Sequence, residues 1–525
     1  IMQNLTRLKC ILKFGNPNFF TQFTILIILS IFVVIFDVFV IKLVYEIFKK
    51  IMSDGETLSF FIFEIQEISF QLIAIPIISA FLKYIHLKYL NDVVAKFGVN
   101  LSMNLIKQIL IQSDNERYRY TPEYLGSLPT MKVESLLGLA LLPFLSFVSG
   151  VILTSAVGAF IITINPEMML LIVILLSLYY VTILAVNKGQ LSTSGTDLRN
   201  SQEEFMKNIF AVVSSIKELR NYDFVDRFLG KFIGPITIAR VVQARNNTIG
   251  LSPKIILEGF VITILLVAIV YSVKYTNLNF DYAAIFAGSI GFAKIIPYFQ
   301  QTYGSLVSLM ICGDVIEDLD KFIRTRKRVK SFGHDETKNP IRNITRTNAE
   351  VESLIVKEFV LNTRGAQTVL AEPINFLWGK TYLVTGPSGI GKTTFLEAMI
   401  GNFNNLKFNS NSGKFEKKIV YASQESYFPF ETIHENMQVN GNIPVRRELY
   451  KNLMTEFEMS DYLNLTDEKM GVNLENLSSG QKQRLSIVRT FLRANINVVI
   501  FDEITSKLNS SLAIVITKKI IEYCK

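Results

Sequence analysis

Six stretches in residues 1–314 are apolar enough, and long enough, to cross a lipid bilayer, which needs about 20 mostly apolar residues per helix. They are 19–48, 61–83, 136–164, 167–187, 254–275 and 280–312. Several exceed the minimum, so the helices are expected to continue beyond the hydrocarbon. The connections near 49–60, 165–166 and 276–279 are short, whereas 84–135 and 188–253 are long, polar and rich in helix formers. Lys and Arg concentrate at the N-terminus and in the two long segments. Positive loops stay inside, so both termini and both long segments are expected in the cytosol. Lys49 and Lys50 fall on the far side, beside Asp54 and Glu56, and are read as snorkelling at the interface. The spans joined by Asn165-Pro166 could instead form a re-entrant hairpin; true spans keep the C-terminal part with the other basic segments.

Charged groups in hydrocarbon usually face a cavity or one another. Lys42, Glu64 and Glu258 fall near predicted ends and read as interfacial or paired, and Glu67 shares the second span. Asp37 and Lys294 are the better candidates for a polar translocation path. The whole chain is 50% hydrophobic, with mean hydropathy +0.33 and net charge +9. No basic stripe interleaved with aromatics accompanies that charge, so a nucleic-acid partner is not expected. Cys10, Cys312 and Cys524 lie in no metal or redox spacing. The basic residues Arg7, Lys9 and Lys13 precede an apolar run too long for a cleavable signal. Ile1 ahead of Met2, and an end inside a helical pattern, read as cut ends.

Residues 315–350 are expected to form a polar linker, with the basic run Arg324–Arg328 beside the last span. From Val351 the pattern becomes that of an α/β domain. Thr381–Thr385 is an apolar strand candidate feeding Gly386-Pro387-Ser388-Gly389-Ile390-Gly391-Lys392-Thr393, with Thr394 behind, and a helix is predicted over 395–400. Glycines in such a loop let backbone N–H groups converge on phosphate oxygens at a helix N-terminus. Lys392 would bridge the β- and γ-phosphates of ATP, and the Thr393 hydroxyl would ligate Mg²⁺. Asn497–Phe501 is a second apolar strand, ending in Asp502 and Glu503. Asp502 suits Mg²⁺, and Glu503 is placed to polarise the attacking water.

Leu477-Ser478-Ser479-Gly480-Gln481 and its helix resemble the signature loop of the ATP-binding cassette (ABC) transporter superfamily. That resemblance implies that Ser478, Ser479, Gly480 and Gln481 cap ATP held by Lys392 of a second chain. It also implies that Gln424, in Tyr421-Ala422-Ser423-Gln424, takes part in catalysis and touches Mg²⁺. Thr432-Ile433-His434-Glu435-Asn436 is similar to the exporter pattern. The implied fold is multidomain: an all-α six-helix transmembrane domain (1–314), a linker (315–350) and an α/β P-loop ABC ATPase domain (351–525), incomplete at its C-terminal end. The implied partner is a second copy or a related half-transporter, in a plasma (bacterial inner) membrane with the nucleotide domain cytoplasmic.

Some positions depart from the family pattern. Ser479 stands for the first signature glycine, and Asn509, in Ser506-Lys507-Leu508-Asn509, for the usual aspartate. No aromatic stands near Leu361–Asn362 for adenine stacking; Phe359 and Trp378 read as core strand residues. The family's switch histidine falls about thirty residues beyond Glu503, past Lys525. Arg117–Leu125 and Asn221–Phe228 are candidates for the short transverse helices that press on nucleotide domains in such exporters. Ile216–Phe228 with Ser252–Glu258 is similar to bacterial flippases of lipid-linked oligosaccharides. The expected function is an ATP-driven exporter or flippase of an amphipathic or lipid-linked substrate. The rivals are a peptide or multidrug exporter of the same fold and an ATP-binding membrane protein with impaired hydrolysis. The signature loop disfavours a membrane-anchored P-loop kinase.

Overall fold

The computed structural model describes residues 2–53, 58–111, 120–164, 166–274 and 282–336 of the helical part. In the C-terminal part it describes 353–363, 366–369, 374–377, 379–399, 406–410, 419–439, 447–465, 467–493, 496 and 498–524. The chain divides into two compact units, one ending at Arg328 and one running from Val329.

In its described residues the first unit consists of helices joined by short turns. Helix α1 (Met2–Gly15) stops where Pro17 cannot donate to a further turn, and the Asn16 side chain accepts the Asn18 amide at 2.9 Å. Helices α2 (Phe19–Ser53) and α3 (Leu58–Ile111) follow, then the short α4 (Pro122–Ser127), capped by the Thr121 hydroxyl. Two π-helical turns, Leu128–Lys132 and Leu137–Leu141, flank a single α-turn, α5 (Val133–Leu136), and lead into α6 (Leu142–Ile164). Helices α7 (Pro166–Asn221, with a break from helical geometry at Ser215), α8 (Val225–Lys274), α9 (Tyr282–Ile311) and α10 (Gly313–Glu336, which runs past the end of the unit at Arg328) follow. At about 1.5 Å per residue, a helix of some fifty residues is about 75 Å long, against about 30 Å of hydrocarbon. The long polar segments are therefore the water-side continuations of α3, α7 and α8, which have 54, 56 and 50 residues. Among the described residues, Phe19–Glu46, Ile73–Ile111 and Pro122–Phe160 are long and apolar enough to span. The other three predicted spans are helical in α7, α8 and α9, with many of their side chains outside the described residues.

Prolines inside α8 are matched by donors from its neighbours. A proline leaves the carbonyl four residues earlier without its helical N–H. Pro253 frees Ile249, whose carbonyl accepts the Tyr303 hydroxyl at 3.0 Å, while Gln300 donates to the Gly250 carbonyl and Tyr179 to that of Pro253. Pro235 frees Lys231, whose carbonyl accepts Asn208 Nδ2 at 3.5 Å.

Several expectations change here. Asp37 does not line a polar path: it is fully buried, with Lys83 Nζ at 2.8 Å, the Ser79 hydroxyl at 2.8 Å and the Tyr298 hydroxyl as partners. A buried carboxylate needs such a set to offset its lost hydration. Lys42 pairs with Glu46 at 3.7 Å and Glu258 with Lys254 at 3.6 Å, all four partly exposed. The side chains of Glu64, Glu67 and Lys294 lie outside the described residues. The segment read as a linker begins as helix. One face of its first turns is buried: Ile316, Leu319, Phe322 and Ile323 lie in the same cluster as Leu8 and Ile11 of α1, while Lys321 and Arg324 stay exposed. Residues 337–350 lie outside the described set. The transverse helix expected over 221–228 is a turn, since α7 runs to Asn221, Asp223 takes φ 54° and α8 starts at Val225. The first candidate, 117–125, contains α4 from Pro122, and 117–119 are not described.

In the second unit β1 (Ser353–Thr363) is the centre of an antiparallel sheet. It pairs with β2 (Ala366–Val369), β3 (Ile374–Leu377) and β4 (Leu406–Ser410); α11 (Lys392–Met399) lies between β3 and β4 in sequence. Next come β5 (Ile419–Ala422), α12 (Ile433–Met437), α13 (Arg447–Glu456), α14 (Ser479–Leu492), β6 (Val498–Phe501) and α15 (Ser510–Tyr523). Strands β5 and β6 are parallel, Ile419 facing Val498 and Ala422 facing Phe501. A buried cluster including Phe428, Phe457, Leu485, Val488 and Ile516 packs α12 to α15.

Candidate nucleotide site

The predicted strand over Thr381–Thr385 does not form: these residues pair with no ladder, and Leu383 is 87% exposed. The Tyr382 hydroxyl accepts the Leu377 amide at 2.7 Å and its ring meets Phe376 edge-on, so the segment is tied to β3 without strand pairing. The glycine loop follows directly. Gly389 and Gly391 take φ of +83° and +102°, conformations that only glycine adopts freely. The helix begins at Lys392, three residues before the predicted start, and its first turn is closed by the Phe395 amide on the Gly391 carbonyl at 2.9 Å. Thr393 and Thr394 therefore stand in the turn whose backbone N–H groups have no helical acceptor. Lys392 Nζ donates to the carbonyls of Gly386, at 2.8 Å, and Pro387, at 3.0 Å, and so sits across the head of its own loop.

Parallel pairing of β5 and β6 assembles the acidic part. The Asp502 amide donates to the Ala422 carbonyl at 3.0 Å, continuing the ladder past the strand end. Asp502 is buried, and its Oδ2 accepts the Tyr421 hydroxyl at 3.0 Å. Gln424 Nε2 donates to Glu503 Oε2 at 2.5 Å, across 79 positions of sequence. Glu503 takes φ +46°, an unfavourable left-handed conformation for a glutamate. The residues predicted around a metal (Thr393, Gln424 and Asp502) offer a hydroxyl, an amide oxygen and a carboxylate. That all-oxygen set with a single carboxylate fits Mg²⁺. No cluster of His, Cys, Asp and Glu suited to a softer metal occurs among the described residues.

The signature residues form a helix cap. The Ser478 hydroxyl accepts the Gln481 amide at 3.2 Å and Gln481 Oε1 accepts the Ser478 amide at 2.7 Å, a reciprocal capping box at the start of α14. Gln481 Nε2 also donates to the Tyr462 hydroxyl at 2.7 Å. Ser479 is the first residue of the α-helix, with no positive φ, so a serine is accommodated there. Asn509 caps α15 through the Leu512 amide at 2.9 Å, a role asparagine and aspartate share. The Thr432–Asn436 stretch is likewise a cap: Thr432 Oγ1 accepts the Glu435 amide at 3.1 Å, and buried Asn436 donates to the carbonyls of Phe430 and Thr432. Arg489 holds the segment after Gln424 by donating to the Tyr427 carbonyl at 2.9 Å, its guanidinium 4.4 Å from the centre of the Phe428 ring. Burial there lowers the Arg489 pKa from its usual value. Sequence reasoning gave Tyr421, Tyr462, Gln483 and Arg489 no role. Only the last two stand inside a recognised motif's helix, where their spacing from Ser478 could have marked them.

Residues 374–506 match the ABC transporter family. A solved bacterial Atm1-family ABC exporter with ATP bound superposes with a TM-score of 0.71 at 14% identity, over 97% of this chain and 90% of that one. The fold is thus that of the Atm1-family ABC exporter: a mostly helical transmembrane domain followed by an ABC ATPase domain. The microcin-J25 export ATP-binding/permease protein of Escherichia coli is 26% identical over 34% of this chain, a match that spans 33% of its own length. The lactococcin-G-processing and transport ATP-binding protein of Lactococcus lactis is 23% identical over 63% of this chain and 46% of its own. The chain thus spans less than half the length of these two relatives in its matches. Its apolar helices and its membrane-exporter relatives mark a multi-pass membrane protein.

Proposed function

We propose that this chain is an ATP-driven exporter. The observation that carries the reading is the hydrogen bond between Gln424 and Glu503, with Asp502 buried behind them at the tips of two parallel strands. It sets a candidate base beside a candidate metal ligand at the ends of paired strands, as ATP hydrolysis would use them. Backbone N–H groups of the glycine loop and of Lys392 to Thr394 would hold the phosphates. Thr393, Asp502 and Gln424 would hold Mg²⁺, which would supply neutralisation of phosphate charge. Glu503 orients and polarises the attacking water, and Gln424 fixes its carboxylate. The capped N-terminus of α14, with Ser478 to Gln481, would meet the γ-phosphate of an ATP on a second copy or a related half-transporter. The membrane is proposed to be the bacterial inner membrane, with the nucleotide domain cytoplasmic.

The substrate is proposed to be amphipathic. A lipid-linked oligosaccharide is the reading favoured by Ile216–Phe228 and Ser252–Glu258. Much of the second stretch surrounds the Pro253 joint of α8, which accounts for part of that pattern structurally. A peptide is favoured by the printed names of the microcin and lactococcin relatives. The test is ATP turnover by the reconstituted protein and its Glu503→Gln variant. A drop of at least about a hundredfold supports hydrolysis at Glu503. Equal rates sink it and leave a nucleotide-binding membrane protein without turnover. Flipping of a labelled lipid-linked sugar, set against uptake of a labelled peptide into inverted vesicles, separates the two substrate classes.

A further inference from the structure

We infer that Gln483 is a positioning residue for hydrolysis, a buried amide that fastens the backbone turn behind Glu503 to the signature helix. The inference rests on reading Glu503 as the hydrolytic residue. Gln483 lies on α14 and is 1% exposed. Its Oε1 accepts the Lys507 amide at 3.1 Å, and its Nε2 donates to the Ser506 hydroxyl at 3.2 Å. Both ends of one side-chain amide are therefore committed to two successive residues of the loop after β6. That loop closes on Glu503 itself: the Ser506 amide donates to the Glu503 carbonyl at 3.0 Å, and the Leu508 amide to that of Thr505 at 3.1 Å.

A second contact ties the same pieces together. A Cβ added at Gly480 would lie 3.2 Å from the Lys507 carbonyl oxygen and 3.2 Å from a Leu508 methyl, so the first turn of α14 packs flush on this loop. A glutamate at φ +46° persists only where its surroundings over-determine the backbone. Gln483 and the packing at Gly480 are such surroundings, fixed from a helix rather than from the loop. A displacement of the α14 N-terminus is then passed to the Glu503 backbone, with Gln483 as its hydrogen-bonded link. Gln483 touches neither nucleotide nor water in this role.

The test uses the full chain in lipid, comparing parent with Gln483→Met, which keeps length and loses both hydrogen bonds. Amide exchange over 504–509 should quicken by at least about tenfold, as expected when a buried anchor is lost. ATP turnover should fall by at least about tenfold in kcat, while KM and binding of a fluorescent ATP analogue stay within about threefold, the signature of misplaced machinery rather than lost binding. Unchanged exchange overturns the inference, and so does a rise in KM that accounts for the whole loss. Gln483→Glu keeps an oxygen for the Lys507 amide and another for a Ser506 hydroxyl turned to donate. If the Met variant fails to fold, the Glu variant should exchange like the parent over 504–509, and exchange that is faster by about tenfold refutes the role. Should the parent hydrolyse no ATP, the functional reading fails, while the exchange comparison still decides the role of Gln483.

Discussion

Glu503 combines a catalytic carboxylate with a backbone conformation that costs an L-residue about 1–2 kcal/mol. Replacing it with glycine separates the two properties. Glu503→Gly should abolish turnover and yet raise the thermal midpoint of the nucleotide domain, by an amount corresponding to about 1 kcal/mol. Differential scanning fluorimetry checks this, and a lowered midpoint would mean that the Gln424 contact outweighs the backbone strain. At this scale the sequence was legible where chemistry demands a fixed local pattern. The glycine loop, Lys392 and the Asp502-Glu503 pair are each readable within a few neighbouring positions. Tyr421 was not, because its partner Asp502 lies 81 residues away and only strand pairing brings them together. The same holds for Gln424 as a ligand of Glu503. Its role could be carried over from a resemblance, but its hydrogen bond could not be read from residue order.

Elements were legible in proportion to their regularity. Long apolar runs gave the membrane helices, because hydrocarbon permits few alternatives. The strand predicted at Thr381–Thr385 is not formed: an apolar run states a preference for burial, not a pairing partner, and the contact seen here is that of the Tyr382 hydroxyl with the Leu377 amide. The π turns before α6 carry no sequence signal that distinguishes them from ordinary helix. Helix α8 illustrates how an irregularity is stabilised from outside the element. Removing the Tyr303 hydroxyl would leave the Ile249 carbonyl unpaired in a buried setting, which costs about 1–3 kcal/mol. Tyr303→Phe should accordingly lower the thermal stability of the helical unit while the phenylalanine ring still fills the same space. Tyr303→Leu should lower it further by loss of packing. Equal midpoints for parent and Tyr303→Phe would show that water or a relaxed helix satisfies the carbonyl.

Across the helical unit, charge binds elements that are far apart in sequence. Asp318 of α10 receives Lys132 at 2.9 Å and Arg199 at 3.0 Å, while Glu203 receives the same lysine at 3.0 Å. Arg7 of α1 pairs with Glu317 at 2.7 Å. Partial burial opposes ionisation of Glu203, but hydrogen bonding and charge from Lys132 and Arg199 prevail and hold its pKa below the ordinary value of 4.5. A carboxyl whose folded pKa is depressed contributes stability that is present above its unfolded pKa and lost as pH falls through the folded one. Thermal stability should thus be level from neutral pH down to about 5, then decline as acid protonates the network. Glu203→Gln should be less stable at neutral pH and show a shallower acid decline; parallel profiles would contradict this.

The passage of α7 from lipid into water, regular up to its break at Ser215, has a consequence for sequence length. Tyr180 of α7 packs against Tyr303 and Phe299, and farther along the same helix Arg199 meets Asp318. Each residue added between them rotates one end against the other by about 100°. The intervening stretch, though polar and exposed around Gly189, is therefore phase-locked and behaves unlike a surface loop. Gly189→Ala, where no atom lies within 4 Å of the added carbon, should be neutral or slightly stabilising. One alanine inserted after Gly189 should swing Arg199 off Asp318 and sharply reduce folded yield. Among relatives that keep both contacts, insertions in this stretch should come in lengths that restore the helical phase.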